Sequence, residues 1–448
     1  MQTPYVIHTF GEEVDRKLRS RLGWLTAGVA SSISWPSLDV CVRYAGDEYF
    51  LRGSERDGKP SPPGITIACN DNGHDEAITK VYRFTSILSW FMGGYVDVSG
   101  YIWGSHPSLY GNPRTAYSSI GIAGTKSFNC NHMPIVEHEN IRKALAFWRE
   151  GKRLEAVHAS YAFLSYYKVI ESQFSDTNKN KKIAWISAKI DKLTDRAAKR
   201  VAELRESGID VSRHLFESGR CAVAHASLEG KIVDPDIPFD RRRLSADLIV
   251  MEELARIYIR EELEVPDSRS LYRSRNRLAP WDSLLTVKTL EVLKSGGTPD
   301  SCEGMQSLQV SVGLWPDGPI KGLEKMTMHF DIFENGVGKI VLINDRKTIL
   351  LVFIMDYRNG KVHTNLEDGG LFYGDNLPEE ADVESYATFF YKVLGNGIAE
   401  LTCGDIEPID CEVVIPVNII PPNPNEAIKE AVQRFRNERA CHAEPEES

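Results

Sequence analysis

Arg220 and His225 are the residues whose types and spacing point most directly to chemistry. They lie in Arg220-Cys221-Ala222-Val223-Ala224-His225, followed by Ser227-Leu228-Glu229-Gly230 and Asp234-Pro235-Asp236. A guanidinium grips phosphate through parallel hydrogen bonds and keeps its charge at any relevant pH. An imidazole titrates near neutrality, so it can take the proton of an RNA 2′-hydroxyl or return one to a leaving oxygen. Together they form a metal-independent set for phosphodiester cleavage. On an ideal α-helix five residues advance about 500°, which leaves the two side chains roughly 140° apart. They converge on one phosphate if the helix bends or ends, as Gly230 and Asp234-Pro235 allow, or if a two-fold dimer supplies a second copy. The competing reading makes Arg220 an i, i+3 partner of Glu217 and His225 a core histidine bonded to the 234–236 turn.

The elements that must position this pair are helical. From Glu137 to Glu264 apolar residues recur at helical spacing, as in Ile141, Ala144, Leu145 and Trp148, then Leu154 to Ile170, then Ile183, Ile186, Ile190 and Leu193. Val211 to Ala226 is the helix with the motif, and Leu244 to Leu263 is the last, with Leu248, Met251 and Leu254 inward. Four or five helices joined by short polar turns predict a bundle over residues 136–265.

On these residues the chain resembles the HEPN superfamily, whose arginine and histidine, four to six residues apart on a late helix of such a bundle, mark RNA-cleaving or RNA-binding dimers. Cys221 stands where that pattern most often has Asn, Asp or His. The wider stretch Tyr161-Ala162-Phe163-Leu164-Ser165-Tyr166-Tyr167-Lys168-Val169-Ile170-Glu171, with Arg220 to Ala226 and Asp234-Pro235-Asp236, looks more closely like the MauJ-like methylamine-utilisation proteins. The first resemblance implies a homodimer acting on RNA as an endoribonuclease, with Arg220 and His225 as its catalytic residues. The second implies a non-catalytic accessory protein whose bundle binds a protein partner.

The regions around the bundle read as mixed. Residues 1–135 hold strands at Asp39–Tyr44, Ile65–Cys69 and Tyr95–Gly104 and a helix at Asp75–Phe91 stopped by Gly93-Gly94. A long Gly/Ser/Pro/Asn-rich loop follows to Asn131; its Tyr101, Trp103, Tyr110 and Tyr117 are expected to pack it onto the domain, with ligand sensing as the alternative. Residues 266–300 read as a basic linker with Arg269, Arg273, Arg275 and Arg277. Residues 301–448 return to strands, with a hairpin signalled by Asn359-Gly360, a helix at Asp382–Leu394, a strand at Cys411–Ile419, a terminal helix at Asn425–Glu438 and a polar tail. The expected fold is therefore α+β and multidomain, with a central all-α bundle flanked by two strand-rich α/β domains.

Composition bounds the rest. At 448 residues, 42% hydrophobic and 26% charged, the chain supports more than one core, and no apolar run is long enough to span a bilayer. A net charge of −10 argues against a surface that tracks nucleic acid throughout, yet residues 136–265 are close to neutral and permit a local phosphate site. Eight scattered cysteines without a CxxC pair, and a start lacking a secretory pattern, lead us to expect a reduced, cytoplasmic protein. Cys130-x-His132 with Glu137 and His138 offers ligand atoms, but its one-residue gap is not that of a structural zinc site, so no metal is expected. Neither a P-loop nor a G-x-S-x-G elbow is present, and no cofactor is expected.

Overall fold

The computed structural model describes residues 7–443 apart from 11, 71–72, 114–129, 131, 175–178, 225–236, 300–304, 316, 395–397 and 413–421. Its architecture is mixed α/β. An antiparallel six-stranded sheet comes first, in the order Ile7–Phe10, Val40–Tyr44, Asp47–Arg52, Gly64–Ala68, Trp24–Ser31 and Val96–Gly104. Its strands are rich in β-branched and aromatic residues, and Trp24–Ser31 is buried almost throughout because the helix His74–Met92 covers it. That helix ends at Gly93, which takes the left-handed φ of 73° that a C-terminal glycine adopts without strain.

The helices follow, at Glu139–Leu154, Ala159–Glu171, Lys179–Lys189, Asp195–Glu206 and Pro238–Ile257, with a broken helical segment from Val211 to Ala224. One buried apolar cluster runs without interruption from Leu25 in the first sheet to Val265 after the helices. Trp90 and Trp148 join the two parts edge to face at 5.1 Å, and Trp90 Nε1 donates to the Pro266 carbonyl at 3.2 Å.

Residues 266–300, expected as a linker, fold into the helix Ser268–Ser274, a 3₁₀ turn at Ala279–Leu284 and the helix Val287–Lys294. Asp267 and Ser270 close a reciprocal capping box on the first of these. Leu278, Trp281, Leu285 and Leu293 bury in a second core that extends to Cys411. Four apolar residues spread over sixteen positions make no periodic stripe, which is why the segment reads as a connector.

The second sheet is antiparallel, in the order Lys361–Leu371, Ile349–Asp356, Val337–Asn344, Met326–Glu334, Gln309–Leu314, Ile398–Thr402 and Ile409–Glu412, with Gly318–Pro319 paired to Gln309–Leu314. Thr364 Oγ1 and Cys411 Sγ lie 2.8 Å apart, so the end strands approach and the sheet curls towards closure. The Asn359-Gly360 hairpin forms with Asp356 opposite Lys361, so four residues turn the chain rather than two. The Asp356 carboxylate accepts from the Asn359 backbone N–H at 3.1 Å and builds the wider turn. The helices Glu380–Leu394 and Pro424–Ala443 pack together, and Arg436 pairs with Glu380. The expected strand through Ile419 is described from Ile409 to Glu412; its remainder lies outside the described residues. No helix among the described residues is long and apolar enough to cross a membrane.

Candidate functional site

The helix expected over Val211–Ala226 is not a regular α-helix. Asp210 caps it, accepting from the Arg213 N–H, and α geometry lasts from Val211 to His214. Leu215–Cys221 then widens into a π turn before Ala222–Ala224 returns to α. Gly219 sits where the Phe163 ring closes on the backbone: a Cβ there would meet the ring at 2.4 Å. Wide turns of this kind are rare inside helices and concentrate at functional sites. Regular α geometry is thus interrupted at Arg220 itself. His225 and the Asp234-Pro235-Asp236 stretch lie outside the described residues.

Arg220 does not pair with Glu217, which instead lies 3.8 Å from Arg213. Its Nη2 donates to Glu171 Oε1 at 3.0 Å, and Lys182 Nζ donates to the same oxygen at 2.9 Å. Burial pulls the Glu171 carboxyl upward, but Lys182 and Arg220 together outweigh it and hold the group below its ordinary range. The buried Tyr167 hydroxyl has no hydrogen-bond partner among the described residues, and burial pushes its ionisation up. The result is a small polar site between helices with two cations on one carboxylate.

A group whose folded pKa is depressed stabilises the fold fully above its unfolded value and loses that contribution as pH falls through the folded one. Glu171→Gln is therefore expected to cost about 1 kcal/mol near neutral pH, given the partial exposure of the pair. The gap from wild type should close as pH falls below the ordinary carboxylate value of 4.5. Urea midpoints of the two proteins at neutral and acid pH measure this directly; a gap that persists at acid pH contradicts it.

Behind the π turn stands a carboxylate that the sequence reading passed over. Asp247 is fully buried, and its Oδ1 accepts from Arg200 Nε at 3.0 Å and Nη2 at 2.9 Å. Its Oδ2 lies 2.8 Å from His214 Nε2 and 3.7 Å from Arg243 Nη1. Arg243 Nη1 also donates to the Ser218 carbonyl at 2.9 Å, inside the π turn. The signal was an aspartate on the inward face between Leu244 and Met251, where an apolar residue is due.

Comparison with known proteins falls on these same helices. Residues 144–260 match the family model described as methylamine utilization protein MauJ. The MauJ-like span is about a quarter of the 448 residues and contains Glu171, Lys182, His214, Arg220 and Asp247. Both sheets lie outside it. No curated protein and no solved structure matches the chain.

The other candidates disperse. Cys130 is fully buried, and burial pushes its thiol up, whereas Glu137 and His138 are exposed. His132 turns instead to Arg275, whose Nη1 lies 3.0 Å and 2.9 Å from the two ring nitrogens. No group of three or more His, Cys, Asp or Glu among the described residues is placed to hold a metal ion. Arg277, buried, and Arg275, part-buried, pair with Asp410 rather than align on the surface. Tyr110 lies over Gly28 and Gly100, whose lack of side chains gives it room, while Trp103 stays exposed beside His74. Tyr117 is outside the described residues.

Proposed function

We propose that this protein serves methylamine utilisation as an accessory protein that binds a protein partner through its MauJ-like helices. The observation that carries the reading is the match over residues 144–260, which coincides with the helices that build the Glu171, Lys182 and Arg220 site. An arginine already held by a carboxylate suits a structured binding surface, since a phosphate would have to displace Glu171 to gain both guanidinium edges. Removing the gene from its host is expected to impair growth on methylamine and to leave growth on other nitrogen sources unchanged. Unchanged growth on methylamine would remove this reading.

The second reading keeps the helices as a HEPN-like bundle that dimerises and cleaves RNA without metal, with Arg220 clamping phosphate and His225 as general acid and base. The π turn at Arg220 favours it, because the regular α spacing that would set Arg220 and His225 roughly 140° apart is interrupted there. One positive charge also remains in excess among Lys182, Arg220 and Glu171. Cleavage of a mixed-sequence RNA in EDTA tests it: wild type should cut, and Arg220→Ala and His225→Ala should each lose at least about 100-fold, the usual weight of one general acid–base group. An inert wild type eliminates the nuclease.

The three-unit division of the chain at about residues 135, 265 and 300 belongs to the same proposal. Its support is at residue 265, where one buried cluster ends at Val265 and the next begins at Leu278.

A further inference from the structure

Between the first sheet, the helix His74–Met92 and the helix Glu139–Leu154 lies a cavity of about 560 Å³. Its inner wall is apolar and aromatic. Tyr49 and Phe84 stack at 4.1 Å with planes 9° apart, and Ile87 and Leu145 continue the surface. Lys80, Arg83, Arg142, Lys143 and Arg149 also line it, against the carboxylates of Asp47, Glu137 and Glu139. Lys80 is paired with Asp47 at 3.0 Å, and Arg83 and Arg142 share Glu139 at 3.4 Å and 3.7 Å. Two positive charges are therefore in excess.

Arg149 is the unusual member. Its Nη1 donates to the Tyr82 carbonyl at 3.1 Å, to Thr85 Oγ1 at 3.0 Å and to Ser86 Oγ at 3.2 Å. Both hydroxyls place their own protons on that same carbonyl, so they offer Arg149 lone pairs and nothing more. Every one of these acceptors is neutral. Among the described residues the buried Nε has no hydrogen-bond partner, and no carboxylate lies within ion-pair distance of the guanidinium. The other deeply set arginines are each matched: Arg52 with Asp39 and Arg277 with Asp410, both at 2.9 Å. A buried guanidinium without a counterion is costly, and burial lowers the Arg149 pKa accordingly, with Asp97 the first charge to oppose it.

We propose that this cavity binds a small organic carboxylate with an aromatic or branched aliphatic body, one oxygen accepting from the Nη2 of Arg149. No acceptor for Nη2 is found among the described residues, and the three hydrogen bonds on Nη1 hold the guanidinium rigid. The ligand body packs on the Tyr49 and Phe84 rings, as in other sites where an apolar wall carries a few placed polar groups. The ligand's single charge supplies the counterion that Arg149 lacks among the described residues. This site is independent of the Arg220 reading: Glu171, Lys182 and Arg220 are not among the residues that line it.

The test titrates the full-length protein with benzoate, cyclohexanecarboxylate and 3-methylbutanoate. Saturation-transfer NMR and thermal denaturation report binding, with benzyl alcohol and inorganic phosphate as comparison probes. At least one carboxylate should bind and raise Tm, and benzyl alcohol should bind about tenfold more weakly or not at all. Arg149→Gln should weaken carboxylate binding by about tenfold or more. Ala146→Phe, which fills the cavity from its wall, should abolish binding without lowering the Tm of the free protein. If Arg149→Gln fails to fold, Ala146→Phe decides. The proposal falls if none of the three carboxylates binds, if phosphate alone binds, or if the cavity-filling variant binds like wild type.

Discussion

Asp410→Ala is expected to cost about 3–5 kcal/mol, a large share of the stability of any domain, because it strands buried cations. Asp410 is 3% exposed; its Oδ2 accepts from Arg277 Nη1 at 2.9 Å and its Oδ1 from Arg275. The His132 ring is 3.7 Å away. Close by, Lys361 Nζ donates to the carbonyls of Tyr272 and, at 2.8 Å, Arg275. Burial lowers the Lys361 pKa, and Arg277 and Arg275 lower it further. Asp410 is thus the carboxylate that lets three cationic side chains share one buried place. The alanine variant keeps the cations and loses the anion, which is the worst combination in a low dielectric. Adding Arg277→Met to Asp410→Ala should recover part of the loss, since the apolar chain fills similar volume without a charge to strand. Urea midpoints of wild type, the single variant and the double variant read both steps. A single variant that unfolds at the wild-type midpoint would mean that water or rearrangement already screens the cluster.

The same cluster shows where the sequence was legible and where it was not. The sequence pattern located Val40–Tyr44, Gly64–Ala68 and His74–Met92 closely, because short β-branched runs and helically spaced apolar residues between turn signals are local features. Gly93 announced its helix end for an equally local reason. Arg275 and Arg277, however, read as solvated charges. Their partner Asp410 stands 135 and 133 residues further on, and no local pattern records a pairing over that distance. Arg220 presents the same difficulty: the nearby Glu217 was the natural partner by spacing, yet Glu171, 49 residues earlier, takes it. The π turn was invisible for a related reason. It coincides with the close approach of the Phe163 ring to Gly219, a contact between two helices. Helical spacing thus exposed the motif, while its electrostatic surroundings needed the tertiary fold.

Asp247→Ala is the second large loss, again about 3–5 kcal/mol, and it bears on the candidate site as well as on stability. Asp247 is fully buried and receives Arg200, His214 and Arg243 on its two oxygens. Arg243 carries the connection onward to the Ser218 carbonyl, so the carboxylate anchors the π turn that holds Arg220. Asp247→Asn retains the volume and one acceptor, and should lose about 1.5–3 kcal/mol, the range for hydrogen bonds to charged groups. The local effect separates this from a general loss of packing. Without the anchor, the amides of Leu215–Cys221 should exchange with solvent faster relative to those of Glu139–Leu154, measured under conditions where the variant remains folded. A double-mutant cycle with His214→Ala should give a coupling of about 0.5–3 kcal/mol, because the two side chains meet at 2.8 Å. A uniform rise in exchange across both segments, with no coupling, would assign Asp247 to the core alone and leave the π turn to the packing of Phe163 on Gly219.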